Sequence, residues 1–378
     1  MVLPAGVYRA DHVGSFLRPR TILEARERVA KKQSSLEELR KVEDKYIADV
    51  VNKQLNAGLR SITDGEFRRA YFHLDFLQHF SGIEIRGQTG TIRPHGFSPP
   101  VLVVTGKLGH QKSIQVDDFK FLEHSIASKN HSLSATTKVC IPSPTMVHFR
   151  GGRASIDIEA YPDLDPFFED LAYVYQQELD ALYQAGCRFV QLDDTNLAYL
   201  CDPDMRKAAA ERNEDLATLP RKYAELINAA ISKRPKDMKI GIHLCRGNYR
   251  SKWFASGGYE PVAEVLFKEL NVDVYFLEYD DARSGDFNPL RHLPESKIVV
   301  LGLMSSKKSS LDDKEEIIER LHQAAEVCPK GLDQLCLSHQ CGFSSTAEGN
   351  ELAEAQQWAK VRLEVEIAKE IWGDDLSR

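Results

Sequence analysis

The residues of this chain best suited to chemistry stand where apolar, β-prone runs end. In an extended strand, residues i and i+2 point the same way. His243 and Cys245, in His243-Leu244-Cys245-Arg246-Gly247-Asn248, can therefore converge on one ion. Glu278 closes the run Val274-Tyr275-Phe276-Leu277, and Cys341 follows Ser338-His339-Gln340. Two thiolates with an imidazole suit zinc better than magnesium or calcium. His-x-Cys alone is a weak pattern. A core histidine, two buried thiols and a salt-bridged carboxylate would be spelled with the same letters.

A second set is acidic. Asp193 and Asp194 are adjacent, so on a strand they face opposite sides and do not form a close acid pair. One can enter a pocket while the other holds a helix end or a basic residue. Glu66, after Asp64-Gly65, reads as a pocket carboxylate or as a turn residue. Gly14-Ser15 could offer backbone N–H groups to a carboxylate or another anion, or could simply turn the chain.

These residues need a scaffold that brings strand ends together. Eight candidate strands are legible: 8–13, 60–63, 137–141, 189–192, 239–243, 272–277, 297–301 and 334–337. Several are continuous apolar runs, as parallel strands covered on both faces are. Helical patterns fall between them, at 36–57, 165–185, 216–233, 261–270, 312–327 and 347–371. Gly58 and Gly186 stand at expected helix stops. The alternation predicts an α/β fold, a single (β/α)8 TIM barrel over residues 1–378. The long spacing between the second and third strands predicts an insertion at about 71–134, with a hairpin at 101–109. No Gly-x-Gly-x-x-Gly follows a strand, which speaks against a dinucleotide-binding sheet. Barrel enzymes place chemistry at strand carboxyl ends, and nearly all of these ends are polar.

Composition narrows the class. The chain has 378 residues, 42% hydrophobic and 28% charged, with net charge −7. That is ordinary for a globular enzyme and excludes a general nucleic-acid binder. Seven cysteines, an odd number, are too few for a disulfide framework at this length. We expect a reducing, cytoplasmic setting, with Cys140, Cys187, Cys201, Cys328 and Cys336 mainly as small buried hydrophobes. No run of 18 apolar residues predicts a membrane span, and the amino terminus does not read as a secretory signal.

Asp11-His12-Val13-Gly14-Ser15-Phe16, Asp64-Gly65-Glu66-Phe67, Gln191-Leu192-Asp193-Asp194, His243-x-Cys245, Phe276-Leu277-Glu278 and Gln340-Cys341-Gly342 occur in the order found in the catalytic barrel of cobalamin-independent methionine synthase. The chain resembles the short, single-barrel relatives of that enzyme from about Tyr8 to Trp372. The resemblance implies a zinc-dependent methyltransferase of methionine biosynthesis, with His243, Cys245, Glu278 and Cys341 as metal ligands. It implies homocysteine bound as a thiolate and a methyltetrahydrofolate-type or simpler methyl donor. It maps the amino-acid pocket onto Gly14, Ser15, Glu66 and Asp193, with Glu66 and Asp193 taking the ammonium and acting in catalysis. No nucleic-acid or membrane partner is implied, and a homo-oligomer is left open.

The departures are specific. The family's longer members carry an additional amino-terminal barrel that this length does not accommodate. Asp194-Thr195 stands where the synthase has Glu-Pro. Where the synthase has a proton-delivering histidine near the seventh strand end, this chain reads Gly302-Leu303-Met304-Ser305-Ser306. That places the folate donor in question and leaves the thiolate step intact. Two other readings stand beside the first. One is an epoxyalkane:coenzyme M-type thiol alkyltransferase, in which Arg18, Arg246 or Arg283 would anchor a sulfonate. The other is a non-catalytic zinc- or ligand-binding relative.

Overall fold

Apolar runs flanked by turn residues form the strands, and amphipathic stretches between them pack over the sheet. The computed structural model describes residues 3–87, 100–129 and 135–377. In chain order these fold as α1 (Arg20–Ala30), α2 (Leu36–Ala57), β1 (Ser61–Ile62), α3 (Leu74–Leu77), β2 (Ser81–Arg86), β3 (Val101–Gly109), α4 (Val116–Ala127), β4 (Thr136–Thr137), β5 (Val139–Pro142), α5 (Leu164–Gln184), β6 (Phe189–Asp194), α6 (Asn196–Tyr199), α7 (Pro203–Glu211), α8 (Leu219–Ile231), β7 (Lys239–Leu244), β8 (Val274–Glu278), β9 (Ile298–Met304), α9 (Lys314–Val327), β10 (Leu335–His339) and α10 (Glu354–Trp372).

Strands β5 to β10 form one six-stranded sheet in sequence order, every pair parallel. This is a mixed α/β fold. Both edges of the sheet are continued by short parallel partners. β1 pairs with β4, and Lys138 N extends that ladder to Ile62 O at 2.8 Å. At the other edge Ala10 bridges Leu337 of β10. Between these two partners run His12 Nε2 to Ser61 O at 2.8 Å and Thr63 Oγ1 to Gly14 O at 2.6 Å.

The expected strand at 8–13 is therefore reduced to one bridge, and that at 60–63 to two residues. Arg9 turns its guanidinium onto the carbonyls of Leu332, Asp333 and Leu335, and Asp11 takes up buried Lys138 at 2.7 Å.

Period-two alternation sorts the sheet's two faces. Phe189, Val274, Phe276, Ile298, Val300 and Cys336 cluster with Leu3 and Val7 on one face. Their neighbours Val190, Tyr275, Leu277, Val299, Leu301 and Leu335 pack into the larger core with the helices. Helix α2 shows how closely the local rules hold. Ser35 and Glu38 form a reciprocal capping box, and Gly58 ends the helix at φ +97°.

Two expectations need correction. Residues 101–109 are not a hairpin by themselves. They form one strand, β3, antiparallel to β2, and Gly106 marks an irregularity rather than a turn. A Cβ on the facing Gly82 would lie 2.6 Å from Gly106 O, so the two backbones touch there. Parts of the expected insertion, 88–99 and 130–134, lie outside the described residues. The helix expected at 261–270 is a 3-10 turn (Glu260–Val262) followed by a widened turn over Val265–Glu269. Leu270 N reaches back to Val265 O, and both Leu266 and Phe267 are buried. No helix among the described residues is long and apolar enough to cross a membrane.

Gly302, on β9, sits where strands approach closely. A Cβ there would lie 2.5 Å from Gln340 Cα and 2.9 Å from Leu277 O, both backbone atoms. Gly302→Ala should lower the unfolding free energy by about 1–3 kcal/mol, since neither neighbour can yield cheaply. Chemical denaturation measures this, and an unchanged midpoint would contradict the packing described.

Candidate functional site

Four soft or acidic donors meet beyond the carboxyl edge of the sheet. His243 is on the last turn of β7's ladder, Cys245 lies just past it, Glu278 ends β8, and Cys341 lies two residues past β10. All four are buried, and their ligand atoms lie within 4.8 Å of one another. The two sulfurs are 3.4 Å apart and unbridged. His243 Nδ1 lies 3.2 Å from Phe276 O, while its Nε2 is buried with no hydrogen-bond partner. Glu278 is gripped on both oxygens: Arg246 N donates to Oε1 at 2.8 Å and Arg283 Nη2 to Oε2 at 2.9 Å. Gly247 N donates to Cys245 Sγ at 3.2 Å.

This donor set fits a zinc ion by softness, number and proximity, and the orphaned imidazole nitrogen is what such an ion would complete. The contact with Cys245, helped by His243, holds the Cys341 thiol well below its ordinary value. The same contact, with burial, drives Cys245 well above its own.

A second cluster adjoins the first through the β6–β7 ladder, where Asp193 pairs with His243. The ligand atoms of Glu66, Asp193 and Cys140 also lie within 4.8 Å of one another, all buried. Glu66 adopts φ +58° after Gly65 at φ +68°, a tight left-handed turn. Asp64 Oδ1 accepts its N–H at 2.8 Å, and Arg18 donates to its carbonyl at 2.9 Å. Gln191 Nε2 donates to Asp193 Oδ1 at 2.8 Å. Burial pushes the Glu66 carboxyl up to about 7, with Asp193 adding to the rise and Arg69, 3.9 Å away, opposing it. Burial also lifts Asp193 to about 6, against the nearby His243. Asp194 faces the other way: its Oδ1 accepts from Asn196 N and Leu197 N, fixing the start of α6.

Both clusters open into one cleft. Ser15, Glu66, Asp193, His243, Cys245 and Cys341 line it; Gly14 and Glu278 stand behind the wall. Gly14 is held at φ +131°, and a Cβ there would lie 2.7 Å from Cys140 Sγ and 3.0 Å from Glu66 Oε1. Only glycine fits behind the acid cluster. An aromatic wall was not anticipated from sequence: Tyr71, Phe72, Tyr199, Tyr249, Trp253 and Phe254 line the cleft. The crowding of Tyr249, Trp253 and Phe254 directly after His-x-Cys was the available signal.

The three arginines considered as anion anchors are otherwise engaged. Arg18 binds the carbonyls of Ser344, Thr346 and Glu66. Arg246 binds Gly257 O, Glu278 O and the Tyr259 hydroxyl. Arg283 binds Glu278, Asp280 and Asp281. Beyond β9, Ser305 N donates to Asp312 at 2.9 Å and Ser306 N to Gln340 at 2.7 Å.

The molecule is thus an α/β protein in which a soft-donor cluster and a carboxylate pair share one cleft at the carboxyl edge of a parallel sheet. It belongs to the cobalamin-independent synthase family, whose catalytic-domain model matches residues 9–370. An uncharacterized protein of Bacillus subtilis, YxjH, is 44% identical over 97% of this chain and 95% of its own length. A methionine synthase of Pyrococcus horikoshii is 25% identical over 90% of this chain and 86% of its own. Among solved structures, a Listeria monocytogenes protein described as a vitamin-B12-independent methionine synthase is 38% identical. It covers 99% of both chains with a TM-score of 0.78.

The raised Glu66 carboxyl has a stability consequence in the metal-free, ligand-free protein. Its contribution is complete below the ordinary value of 4.5 and is lost as pH rises through about 7. Stability should therefore fall by on the order of 1–3 kcal/mol between roughly pH 5 and pH 8 from this group. Glu66→Gln should flatten that part of the profile. A profile of unchanged slope in Glu66→Gln would contradict the assigned environment.

Proposed function

We propose that this protein is a zinc-dependent methyltransferase that methylates the thiol of homocysteine, in a single (β/α)8 barrel. The observation that carries the reading is that the soft-donor cluster and the Glu66–Asp193 pair open into the same cleft. One end of a small aminothiol is suited to the first and its ammonium to the second. Zinc, held by His243, Cys245, Glu278 and Cys341, would supply a Lewis acid that lowers the thiol's pKa from its free value near ~8.5.

The chain's own residues do the rest. Glu66 and Asp193 accept the ammonium, and Gly14-Ser15 turns the backbone towards the amino acid's carboxylate. Arg246 N and Arg283 hold Glu278 in place. The aromatic wall excludes water and gives the methyl donor an apolar surface. The thiol's proton is released to solvent as the sulfur binds. Sulfur then forms a bond to the methyl carbon as the carbon's bond to the donor breaks, and the electron pair of that bond leaves with the donor. Orientation of the two reactants supplies most of the acceleration available to such a displacement.

The positions beyond β9 offer Ser305, Ser306 and Lys307 where the resemblance leads one to seek a histidine. A hydroxyl is a weak acid, so a donor that needs protonation to depart is poorly served. We therefore assign a simpler methyl carrier than a folate polyglutamate. A sulfonate thiol could not take Arg18, Arg246 or Arg283 as its anchor, because these are committed within the protein.

A screen on zinc-loaded protein, varying thiol and donor independently, tests the function. We expect S-methylation of homocysteine, and slower turnover with methyltetrahydrofolate polyglutamate than with methylcobalamin or small methyl donors. Turnover with the polyglutamate alone would overturn the donor assignment, and preference for a sulfonate thiol would overturn the pocket. Asp193→Asn removes one charged contact of about 1.5–3 kcal/mol. It should weaken homocysteine use by roughly one to two orders of magnitude. Unaltered homocysteine kinetics in that variant would show that Asp193 does not hold the ammonium.

A further inference from the structure

The acidic pair has a third member that recognition of an ammonium does not require. Cys140, on β5, brings its sulfur within 4.8 Å of the ligand oxygens of Glu66 and Asp193, and all three residues are buried. Its thiol makes only a long contact, 3.5 Å to Val13 O. Glu66 is 3% exposed, yet its Oε2 has no hydrogen-bond partner. Arg69, at 3.9 Å, lies beyond hydrogen-bond reach of that oxygen. Gln191 satisfies one oxygen of Asp193 only. The cluster is thus a concave set of one soft and two hard donors, closed behind by Gly14.

An ammonium is bound by oxygen acceptors and gains little from a thiol. A borderline-soft divalent cation gains a thiolate–metal bond. Zinc–sulfur bonds of about 2.3 Å and zinc–oxygen bonds of about 2.0–2.2 Å put tetrahedral ligand atoms roughly 3.4–3.6 Å apart. Side-chain rotations of about an ångström would bring the three donors to that spacing. The fourth position would face the cleft, which Glu66 and Asp193 line.

We propose that Glu66, Cys140 and Asp193 form a second, inhibitory site for zinc or a similar soft divalent cation, competing with the amino acid's ammonium. The cation's entry releases the thiol proton of Cys140 and any proton held by the carboxyls, so charge balances without a redox step. The competition rests on the reading that Glu66 and Asp193 hold the ammonium; the cation site itself does not.

Zinc bound per chain, counted by equilibrium dialysis and elemental analysis over rising free Zn²⁺, separates the two. The wild type should climb from one equivalent to two. Cys140→Ser should stop at one, and Glu66→Gln, tested alongside, should also lose the second. The loss should exceed the roughly 10–100-fold that removing an outer-shell partner costs. Cys341→Ser should lose the first equivalent and keep the second. Saturating methionine, which has an ammonium but no free thiol, should raise the zinc concentration needed for the second equivalent at least tenfold. A wild type that stops at one equivalent, or a second equivalent that persists in Cys140→Ser, overturns the site. A second equivalent indifferent to methionine overturns the competition. Failure of the four-donor reading shows separately, as a first equivalent that survives in Cys341→Ser.

Discussion

Burying three acidic donors beside an imidazole at the wall of one cleft is the constraint around which the rest of this structure is arranged. A charge taken from water into a protein interior costs several kcal/mol unless it is paired and hydrogen-bonded. Glu278 meets that demand through Arg246 N and Arg283. Its own N–H donates to the Tyr259 hydroxyl at 2.9 Å, and Arg246 Nη1 donates to the same hydroxyl at 2.8 Å. Asp280 and Asp281 hold the far side of Arg283. The thiols have weaker support. Gly247 N donates to Cys245 at 3.2 Å, the two sulfurs lie 3.4 Å apart, and the Nε2 of His243 beside them has no hydrogen-bond partner. A divalent cation resolves all of these deficits together, which is why the cluster reads as a metal site rather than as packing.

The acid cluster poses the same electrostatic question with a different answer. Burial pushes both carboxyls up, and Arg69, 3.9 Å from Glu66, only partly opposes this. The parallel register joins the two systems: Asp193 of β6 lies opposite His243 of β7. In the proposed function, a molecule with a sulfur at one end and an ammonium at the other would span a distance the sheet itself sets. Neighbouring strand ends therefore act as a ruler, and the helix-capping role of Asp194 keeps that end of β6 in place.

Much of this was legible because the chemistry is written at strand ends. The central strands were readable from runs such as Ile298-Val299-Val300-Leu301, which are apolar on both faces. The grouping of His243, Cys245, Glu278 and Cys341 followed from the same placement together with a family resemblance. What escaped reading depends on tertiary context. Nothing local tells that Arg9 spends its guanidinium on carbonyls more than 300 residues away, or that 8–13 keeps a single bridge. The pairing of Val101–Gly109 with Ser81–Arg86 needed a partner strand on the far side of residues 88–99. Tyr71 and Trp253 are far apart in sequence, and only the fold makes them one wall. Cys140 looked like one more small hydrophobe, and its proximity to Glu66 appears only when β5 is set beside the Gly65 turn.

The four donors are proposed to hold a zinc ion that takes the substrate's sulfur. Zinc K-edge X-ray absorption on protein loaded with one equivalent, recorded with and without homocysteine, tests it most directly. Two sulfur ligands with nitrogen and oxygen are expected in the resting protein, and a third sulfur when homocysteine is added. A sulfur count that homocysteine leaves unchanged, or a resting site without two sulfurs, would contradict it.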